Sequence, residues 1–301
     1  MKVLVSGASG LIGSALVPEL EAAGHTVRRL VRREQNSSLE VPWRTDMLHP
    51  SAVEPFDAVI HLAGRNIGSR WSAEVKREIL ESRVQGTATI ANAVAQAFRH
   101  SGKPGVFVSA SGIGIYGSRG DQELTEADSP GTGFLAELAK AWEAATQPAS
   151  DAGVRVVIAR IGVVLSRRGG AIQKMMLPFK LGLGGPVGGG QQWMNWIALD
   201  DLIRVLIFAL QNSALRGAVN TCAPEAVRNR DFVQALASAL HRPAIFPLPA
   251  FVVKTLLGEM GEETLLASTR AVPKRLLDSG FEFKYGTIRA AMEHAVGEGE
   301  G

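Results

Sequence analysis

The stretch Lys2-Val-Leu-Val-Ser-Gly-Ala-Ser-Gly-Leu-Ile-Gly13 decides the fold. Its apolar, β-branched start predicts a buried strand, and the residues from Leu11 to Ala23 favour a helix that ends at Gly24. Glycines at positions 7, 10 and 13 lie between strand and helix, which is the context of a dinucleotide-binding turn. In such a turn the first glycine permits the tight bend, the second lets the backbone approach a pyrophosphate, and the third lets the helix pack closely.

Four further apolar runs predict strands separated by helical stretches, at residues 26–31, 57–63, 105–109 and 155–160. Nearly continuous apolar strands that alternate with helices are typical of a parallel sheet covered on both faces. We therefore predict an α/β fold, a Rossmann-type doubly wound parallel sheet, over residues 1–165, with 196–222 returning to it. A smaller, interleaved substrate region is predicted for 166–195 and 223–301, where glycine and proline interrupt the pattern, and residues 297–301 are expected to fray.

Composition excludes several classes of function. The 32 basic and 29 acidic residues leave a formal net charge of +3 without a long cationic tract, so nucleic-acid binding is not expected. The single cysteine, Cys222, and six histidines without ligand spacing predict no metal site. Arg204 interrupts the best apolar run, so the sequence predicts no membrane segment and no membrane partner, and a cytoplasmic location. The expected partner is a small-molecule substrate. It leaves the oligomeric state open.

Arginines at the end of the second predicted strand indicate which cofactor is preferred. About 20 residues after the glycines, a site selective for NAD places Asp or Glu on the ribose 2′-hydroxyl. This chain has Arg32 and Arg33 there. Guanidinium groups attract the additional 2′-phosphate, so NADP(H) is predicted to be preferred, with NAD(H) possible. The alternative is that Arg28, Arg29, Arg32 and Arg33 form a solvated face at a strand edge.

Several motifs together resemble one enzyme superfamily: His61-Leu-Ala-Gly64, Glu81-Ser-Arg83, Ser109-Ala-Ser-Gly-Ile-Gly-Ile-Tyr-Gly117, Trp196-Ile197 and Arg242-Pro243. They are similar to the extended short-chain dehydrogenases/reductases of the NAD(P)-dependent epimerase/dehydratase group. Within that group the chain resembles an atypical subgroup of epimerase-like proteins. The resemblance covers nearly the whole chain, including a C-terminal region similar to a domain of uncharacterised function.

The resemblance implies a set of cofactor contacts. The turn would hold the pyrophosphate, Arg32 the 2′-phosphate, and Leu62 with Ala63 the adenosine side. Two helix residues, Glu78 and Arg83, are similar to further cofactor contacts but are equally typical of a solvated helix face. The predicted set comprises Gly7, Ser9, Gly10, Leu11, Ile12, Gly13, Arg32, Arg33, Leu62, Ala63, Gly64, Glu78, Arg83 and Ser109.

The catalytic machinery departs from the superfamily. Hydride-transfer members use a Tyr as acid/base and a Lys four residues later that lowers the tyrosine pKa. Aligned on Glu143, this chain has Leu135 and Ala139 at those positions. The remaining candidates are a serine that matches the catalytic hydroxyl, a tyrosine in the loop after the fifth strand, and a helical Glu and Lys that could substitute as proton carriers: Ser111, Tyr116, Glu137 and Lys140.

The substrate is less well indicated. Nucleotide-sugar epimerases carry an arginine on the diphosphate where this chain has Met194, which weakens a sugar-nucleotide assignment. The segment 184–190 with Trp193 and Trp196 is interpreted either as a loop that closes over an apolar substrate or as a plug between two regions. The sequence is consistent with two functions. One is an NADP(H)-dependent oxidoreductase or epimerase, and the other is a catalytically silent NADPH-binding sensor or regulatory protein.

Overall fold

Thirteen strands occur in the computed structural model, which describes residues 1–297. In chain order they are β1 (Lys2–Ser6), β2 (Thr26–Val31), β3 (Glu40–Pro42), β4 (Ala58–His61), β5 (Val106–Gly112), β6 (Glu123–Leu124), β7 (Arg155–Ile161), β8 (Val163–Leu165), β9 (Trp193–Met194), β10 (Trp196–Ala198), β11 (Gly217–Thr221), β12 (Val227–Arg228) and β13 (Arg270–Ala271). Residues 298–301, most of the segment expected to fray, lie outside the described residues.

The central sheet has seven strands in the order β11-β7-β5-β4-β1-β2-β3, and every neighbouring pair is parallel. Strands β1 and β4 are buried almost throughout because helices cover both faces of the sheet. The predicted α/β class and doubly wound sheet are confirmed. The direction of the strand order reverses between β1 and β4, and ligands of such sheets bind outside the carboxyl ends at that point.

Eleven α-helices connect and cover these strands within residues 1–297. They are α1 (Leu11–Ala22), α2 (Ala73–Ser101), α3 (Phe134–Ala144), α4 (Gln147–Asp151), α5 (Gly170–Lys180), α6 (Leu199–Gln211), α7 (Asn229–Ala239), α8 (Ala250–Leu257), α9 (Glu259–Gly261), α10 (Lys274–Asp278) and α11 (Ile288–Gly297). Two 3₁₀ turns, Pro50–Ala52 and Ile113–Tyr116, and a π-helical turn, Glu262–Leu266, complete the helical structure.

Helix α2 shows how local sequence sets an element's bounds. The Ser72 hydroxyl accepts a hydrogen bond from the backbone N–H of Val75 at 3.2 Å, which caps the first turn. Gly102 ends the helix in the left-handed conformation that glycine adopts without penalty. The 29 residues between them carry the chain from the carboxyl end of β4 back to the start of β5.

Outside the central sheet, three short strand pairs join distant parts of the chain: β8 with β10, β9 with β12, and β6 with β13. A separate apolar cluster centres on Trp196, Phe232 of α7 and Met292 of α11. Strand β11 lies at the edge of the central sheet, so the chain returns to that sheet after β10. The predicted domain boundaries remain a prediction. Within residues 1–297 no helix combines the length and apolarity needed to cross a bilayer.

Candidate functional site

The glycine turn lies at the reversal of the sheet and leaves no room for side chains. Gly7 has φ +71°, and a Cβ there would lie 2.7 Å from the carbonyl carbon of Leu62 and 2.8 Å from the nitrogen of Ala63. A Cβ on Gly13 would collide with the Gly7 carbonyl oxygen. The backbone of β1 therefore approaches the end of β4 closely, and α1 packs directly on the turn.

The first turn of α1 is open for a ligand. Gly10 is the N-cap residue and brings no side chain to cap the helix, while its own N–H donates to Gly7 O at 3.0 Å. The following N–H groups have no partner within the helix. Together with the positive end of the helix dipole, they form a site for an anion such as a pyrophosphate. Ser9 is exposed beside them.

The two arginines after β2 differ in their surroundings. Arg33 forms a bidentate ion pair with Glu40, at 3.1 and 2.5 Å, and this pairing and the Asn36 N–H lower the pKa of the Glu40 carboxyl. Arg32 is exposed and makes no hydrogen bond or ion pair with the residues that the structure describes. Of the predicted pair, Arg32 is thus the cation available to a phosphate.

Arg83 of α2 is a partly buried cation at the end of β4. Its Cζ would lie 3.2 Å from a Cβ on Gly64 and lies 5.0 Å from the ring centroid of Trp142. Its hydrogen bond to Ile79 O is long at 3.4 Å, and no carboxylate among residues 1–297 pairs with it. Burial lowers the pKa of Arg83 to about 10, so it stays charged at neutral pH.

Glu78, the other helix residue of the predicted set, pairs with Arg65 on the surface. Ser109, by contrast, is fully buried in β5, where its hydroxyl donates to Ala110 O at 3.3 Å. The structure thus brings the glycine turn, the end of β4 and Arg83 together. Ser109 does not join that group, because it is fully buried within β5. Glu78 does not join it, because it is already paired with Arg65.

His61 joins the ends of β1 and β4. It is fully buried, and its Nδ1 lies 2.6 Å from the Ser6 hydroxyl oxygen, which also accepts from the Leu62 N–H at 3.2 Å. Burial, with the nearby positive charge of Arg83, lowers the pKa of His61 to about 3. The imidazole is therefore neutral at physiological pH and acts as a structural link directly below the glycine turn.

A buried polar network connects two of the predicted catalytic residues. The Ser111 hydroxyl donates to Glu143 Oε1 at 2.8 Å, and Arg160 donates to both carboxylate oxygens of Glu143 at 2.8 Å. Arg160 also donates to the Tyr116 hydroxyl at 2.8 Å, and that hydroxyl faces Asn220 Oδ1 at 2.7 Å. Sequence reasoning missed Glu143, Arg160 and Asn220 as members of the site. An arginine within the apolar run of β7 was the available signal.

Tyr116 is held in its protonated form. Its side chain is fully buried, and burial raises the pKa of Tyr116 to about 12 although Arg160 opposes the shift. A phenol in this state donates a hydrogen bond at neutral pH but does not readily release a proton. Its contacts in the network stabilise the 3₁₀ turn after β5.

Helix α3 carries apolar side chains at the two positions where Tyr and Lys are expected. Leu135 packs against Gly114, whose added Cβ would lie 3.0 Å from the Leu135 Cβ, and Ala139 is buried. Glu137 and Lys140 pair with each other at 3.1 Å with about half or more of each side chain exposed, at 64 % and 47 %. Neither predicted substitute proton carrier is turned toward the interior.

The C-terminal region holds the start of α3. Both carboxylate oxygens of Glu263, in the π-helical turn, accept from the N–H groups of Phe134 and Leu135, at 2.7 and 2.8 Å. A negative charge at a helix N-terminus is favourable because it satisfies free N–H groups and the helix dipole. This contact spans almost 130 residues of sequence, and no local motif signals it.

The two tryptophans near the glycine-rich segment are packed. Trp196 is fully buried in the C-terminal cluster. Trp193 lies between Arg228 and Arg270, whose Cζ atoms are 4.1 and 4.8 Å from its ring centroid, and its indole N–H donates to Asp121 at 2.9 Å. Of the two interpretations of this segment, the geometry favours tryptophans that fill space between chain segments.

Comparison with known proteins gives consistent matches. The model of the NAD dependent epimerase/dehydratase family matches residues 3–222, and that of a domain of unknown function, DUF1731, matches residues 248–295. A Mycobacterium tuberculosis relative, "Epimerase family protein MT2273", is 43 % identical over 98 % of this chain and 97 % of its own. The human "Epimerase family protein SDR39U1" is 38 % identical over 98 % of this chain and its full length.

Two solved structures are similar in fold and sequence. The human protein SDR39U1 (isoform 2), solved with NADPH, has a TM-score of 0.90 and 34 % identity, covering 98 % of this chain and 99 % of that chain. The nucleoside-diphosphate sugar epimerase from Corynebacterium glutamicum has a TM-score of 0.83 and 35 % identity, covering 99 % of this chain and 58 % of that chain.

We expect Glu143→Gln to destabilise the protein by about 3 kcal/mol, because it leaves the buried Arg160 guanidinium without a counter-charge. Urea denaturation followed by circular dichroism measures the change. The matched control is Glu137→Gln in the same helix, whose exposed pair with Lys140 contributes less than about 1 kcal/mol. Equal stability of the two variants would contradict the role assigned to the network.

The pH dependence of stability tests the state of His61. Its folded-state pKa of about 3 lies below the unfolded value of 6.5, so the unfolded chain binds the proton first as pH falls. We expect the free energy of unfolding to decrease below pH 6.5, by up to about 1.4 kcal/mol per pH unit from this group. His61→Asn removes that part of the slope, whereas the exposed control His241→Asn retains it. A wild-type slope in His61→Asn would refute the assignment.

Proposed function

This chain belongs to the NAD dependent epimerase/dehydratase family, and on that premise we propose that it binds NADP(H) and transfers hydride to or from a small molecule. It does so without the usual tyrosine and lysine pair. The observation that carries the proposal is the open N-terminus of α1 at the reversal of the sheet. Arg32, which pairs with none of the described residues, directly follows the neighbouring strand β2. The predicted resemblance to this family is confirmed by the matches.

The residues present fit a dinucleotide phosphate. The free N–H groups in the first turn of α1 would hold the pyrophosphate, since no side chain caps that turn. Arg32 would take the 2′-phosphate, and the backbone of Leu62 and Ala63 would contact the adenosine side. Arg83, a partly buried guanidinium without a carboxylate, supplies a further positive charge beside Gly64. The human relative solved with NADPH supports this choice of cofactor.

The nicotinamide supplies or accepts the hydride when the cofactor is bound. In this proposal the Ser111 hydroxyl turns its single hydrogen bond from Glu143 to the substrate oxygen when substrate is present. Glu143 and Arg160 hold the serine in place in the free protein. Water supplies the proton that a reduced carbonyl oxygen takes up, or accepts the proton that an oxidised alcohol loses. Arg160 neutralises the carboxylate, so Glu143 holds Ser111 without placing a net negative charge near the substrate. Tyr116 keeps its proton and supports the loop after β5.

One observation favours the second candidate function, a catalytically silent NADPH-binding sensor. Leu135 and Ala139 present no phenol or ammonium group, and α3 is packed rather than open at these positions. A protein of this kind would bind the cofactor tightly and signal through a partner instead of turning over a substrate. Binding and turnover measurements on the same preparation separate the two functions.

Cofactor selectivity depends on Arg32 in this proposal. We expect Arg32→Ala to weaken NADPH binding by about 10- to 100-fold, because a charge-assisted hydrogen bond to the 2′-phosphate contributes about 1.5–3 kcal/mol. NADH binding should change by less than about twofold, since NADH lacks that phosphate. Isothermal titration calorimetry measures both affinities.

The matched control for this measurement is Arg33→Ala, whose guanidinium already pairs with Glu40. It should leave the ratio of NADPH to NADH affinity close to the wild-type value. Tighter binding of NADH than of NADPH by the wild-type protein would refute the cofactor proposal. Failure to bind either nucleotide would refute the proposed function as a whole.

Turnover depends on Ser111 in the enzyme proposal. We expect Ser111→Ala to slow substrate-dependent oxidation of NADPH by about 100-fold or more, while NADPH affinity stays unchanged. Absorbance at the nicotinamide band, recorded across a panel of uncharged carbonyl compounds, measures the rate. An unchanged rate removes Ser111 from the mechanism. Tight NADPH binding without turnover of any compound in the wild-type protein assigns the sensor function instead.

A further inference from the structure

Exposed apolar side chains concentrate on one part of the surface. Of thirteen large hydrophobic residues that are exposed within residues 1–297, eight lie in two short segments, 177–183 and 245–256. We call these eight the apolar patch: Leu177, Leu181, Leu183, Ile245, Phe246, Leu248, Phe251 and Leu256. Phe251 is 70 % exposed and Ile245 69 %, and such a concentration of exposed apolar side chains is typical of an interaction surface.

Backbone contacts bring the two segments side by side. The N–H of Phe246 donates to Gly184 O at 3.1 Å, and the N–H of Leu248 donates to Pro186 O at 2.9 Å. Further along, Arg242 Nε donates to Lys180 O at 3.2 Å. The end of α5 and the chain leading into α8 therefore form one continuous surface, although about 60 residues separate them in sequence.

The charged side chains in the two segments of the apolar patch and around them in sequence are positive. Residues 152–199 and 232–258, which contain both segments, include no Asp or Glu. Lys180, Lys174 and Arg242 accompany the patch, and Lys174 and Arg242 donate hydrogen bonds to neutral carbonyl oxygens. The acidic residues that follow α8 are neutralised, Glu259 by Lys76 and Glu262 by Lys254. The apolar side chains are thus accompanied by uncompensated cations.

We propose that the apolar patch docks onto the surface of an anionic lipid bilayer, with the aromatic and aliphatic side chains inserted at the level of the headgroups and the cations paired with lipid phosphates. Apolar side chains with lysine and arginine beside them are the combination by which proteins bind such interfaces. A second copy of this chain fits the surface less well, because like charges on two identical patches would face each other.

Helix α5 connects the apolar patch with the proposed cofactor site. Helix α5 begins against the glycine turn, since a Cβ on Gly169 would lie 3.3 Å from the Leu11 side chain. Lys174, one turn further, donates to Gly68 O in the segment that follows β4. The patch begins at the far end of this 11-residue helix, about 15 Å along its axis from the turn. Docking would therefore hold the cofactor site near the bilayer, a consequence that rests on the proposed function.

The sequence-based expectation of no membrane contact rested on the lack of a long apolar run. A docking surface assembled from two separated segments produces no such run, because each segment alternates apolar residues with glycine, proline and lysine. Only the pairing of residues 184–188 with residues 246–248 makes the apolar side chains adjacent.

Vesicle flotation with the full-length wild-type protein tests the docking. We expect binding to vesicles of phosphatidylcholine with about one third phosphatidylglycerol, little binding to phosphatidylcholine alone, and weaker binding as salt rises from about 0.1 to about 0.5 M. Phe246→Ser and Phe251→Ser should each lower the partition coefficient by about tenfold or more, the effect of losing one inserted aromatic side chain. Lys180→Glu should also weaken binding.

The controls are an exposed apolar residue and an exposed cation elsewhere, Met47→Ser and Arg99→Glu, which should bind vesicles as the wild type does. Because every substituted side chain is exposed, the melting temperature should stay near the wild-type value. The assay contains no nucleotide, so its outcome is independent of the proposed cofactor function.

Three results would overturn the proposal. One is equal binding to both vesicle types, and another is wild-type binding by the patch variants. The third is lack of binding to either vesicle type. If light scattering then shows a dimer that Phe246→Ser dissociates, the patch is a contact between copies of this chain.

Discussion

The geometry of the proposed cofactor site depends on the close approach of two backbone segments at the reversal of the sheet. Gly7 lies so near to Leu62 and Ala63 that a single methyl group would not fit between them. Gly13 meets the same turn from the side of α1. These contacts aim the first N–H groups of α1 at the space outside β1 and β4, so the geometry of the anion site follows from the absence of side chains. His61 secures the arrangement from below through Ser6.

Around this turn the chain distributes buried charge in two different ways. Arg160 is fully paired, with Glu143 and Tyr116, and its role is to orient neighbouring groups. Arg83 has no carboxylate and has a pKa lowered by burial, so the free protein retains an unsatisfied positive charge. An anionic ligand would compensate that charge, whereas it would disrupt the paired one. Arg83 is therefore suited to binding an anionic ligand, whereas Arg160 orients neighbouring side chains.

The contact between Glu263 and α3 links the C-terminal region to the helix on which the resemblance places the tyrosine and lysine pair of the superfamily. A second contact of the C-terminal region is the ion pair between Glu259 of α9 and Lys76 of α2. In this chain the starts of α2 and α3 are thus held by residues from the C-terminal region, and the helix face at Leu135 and Ala139 is packed. Any proton transfer must therefore use groups outside that face, which gives Ser111 and its network their importance.

Local patterns in the sequence were sufficient for the strand, turn and helix at the N-terminus, for the parallel sheet, and for the family. They suffice because periodicity, glycine spacing and apolar runs act between residues close in the chain. The resemblance to the superfamily added Ser111, Tyr116 and Arg83 as residues of interest, and it implied Arg32 as the contact of the 2′-phosphate. The sequence did not reveal that Arg33 is already paired, because its partner Glu40 lies in the neighbouring strand.

The amino-acid sequence by itself determined the fold, the open helix N-terminus and the loss of the tyrosine and lysine pair, since each depends on residue identity at local positions. Only the tertiary structure decided that Glu143 joins Ser111 to Arg160, that Glu263 caps α3, and that the ends of α5 and the start of α8 share one apolar surface. Those contacts join segments from 17 to about 130 residues apart. Their energies arise from burial and from charge pairing in three dimensions, which no spacing along the chain encodes.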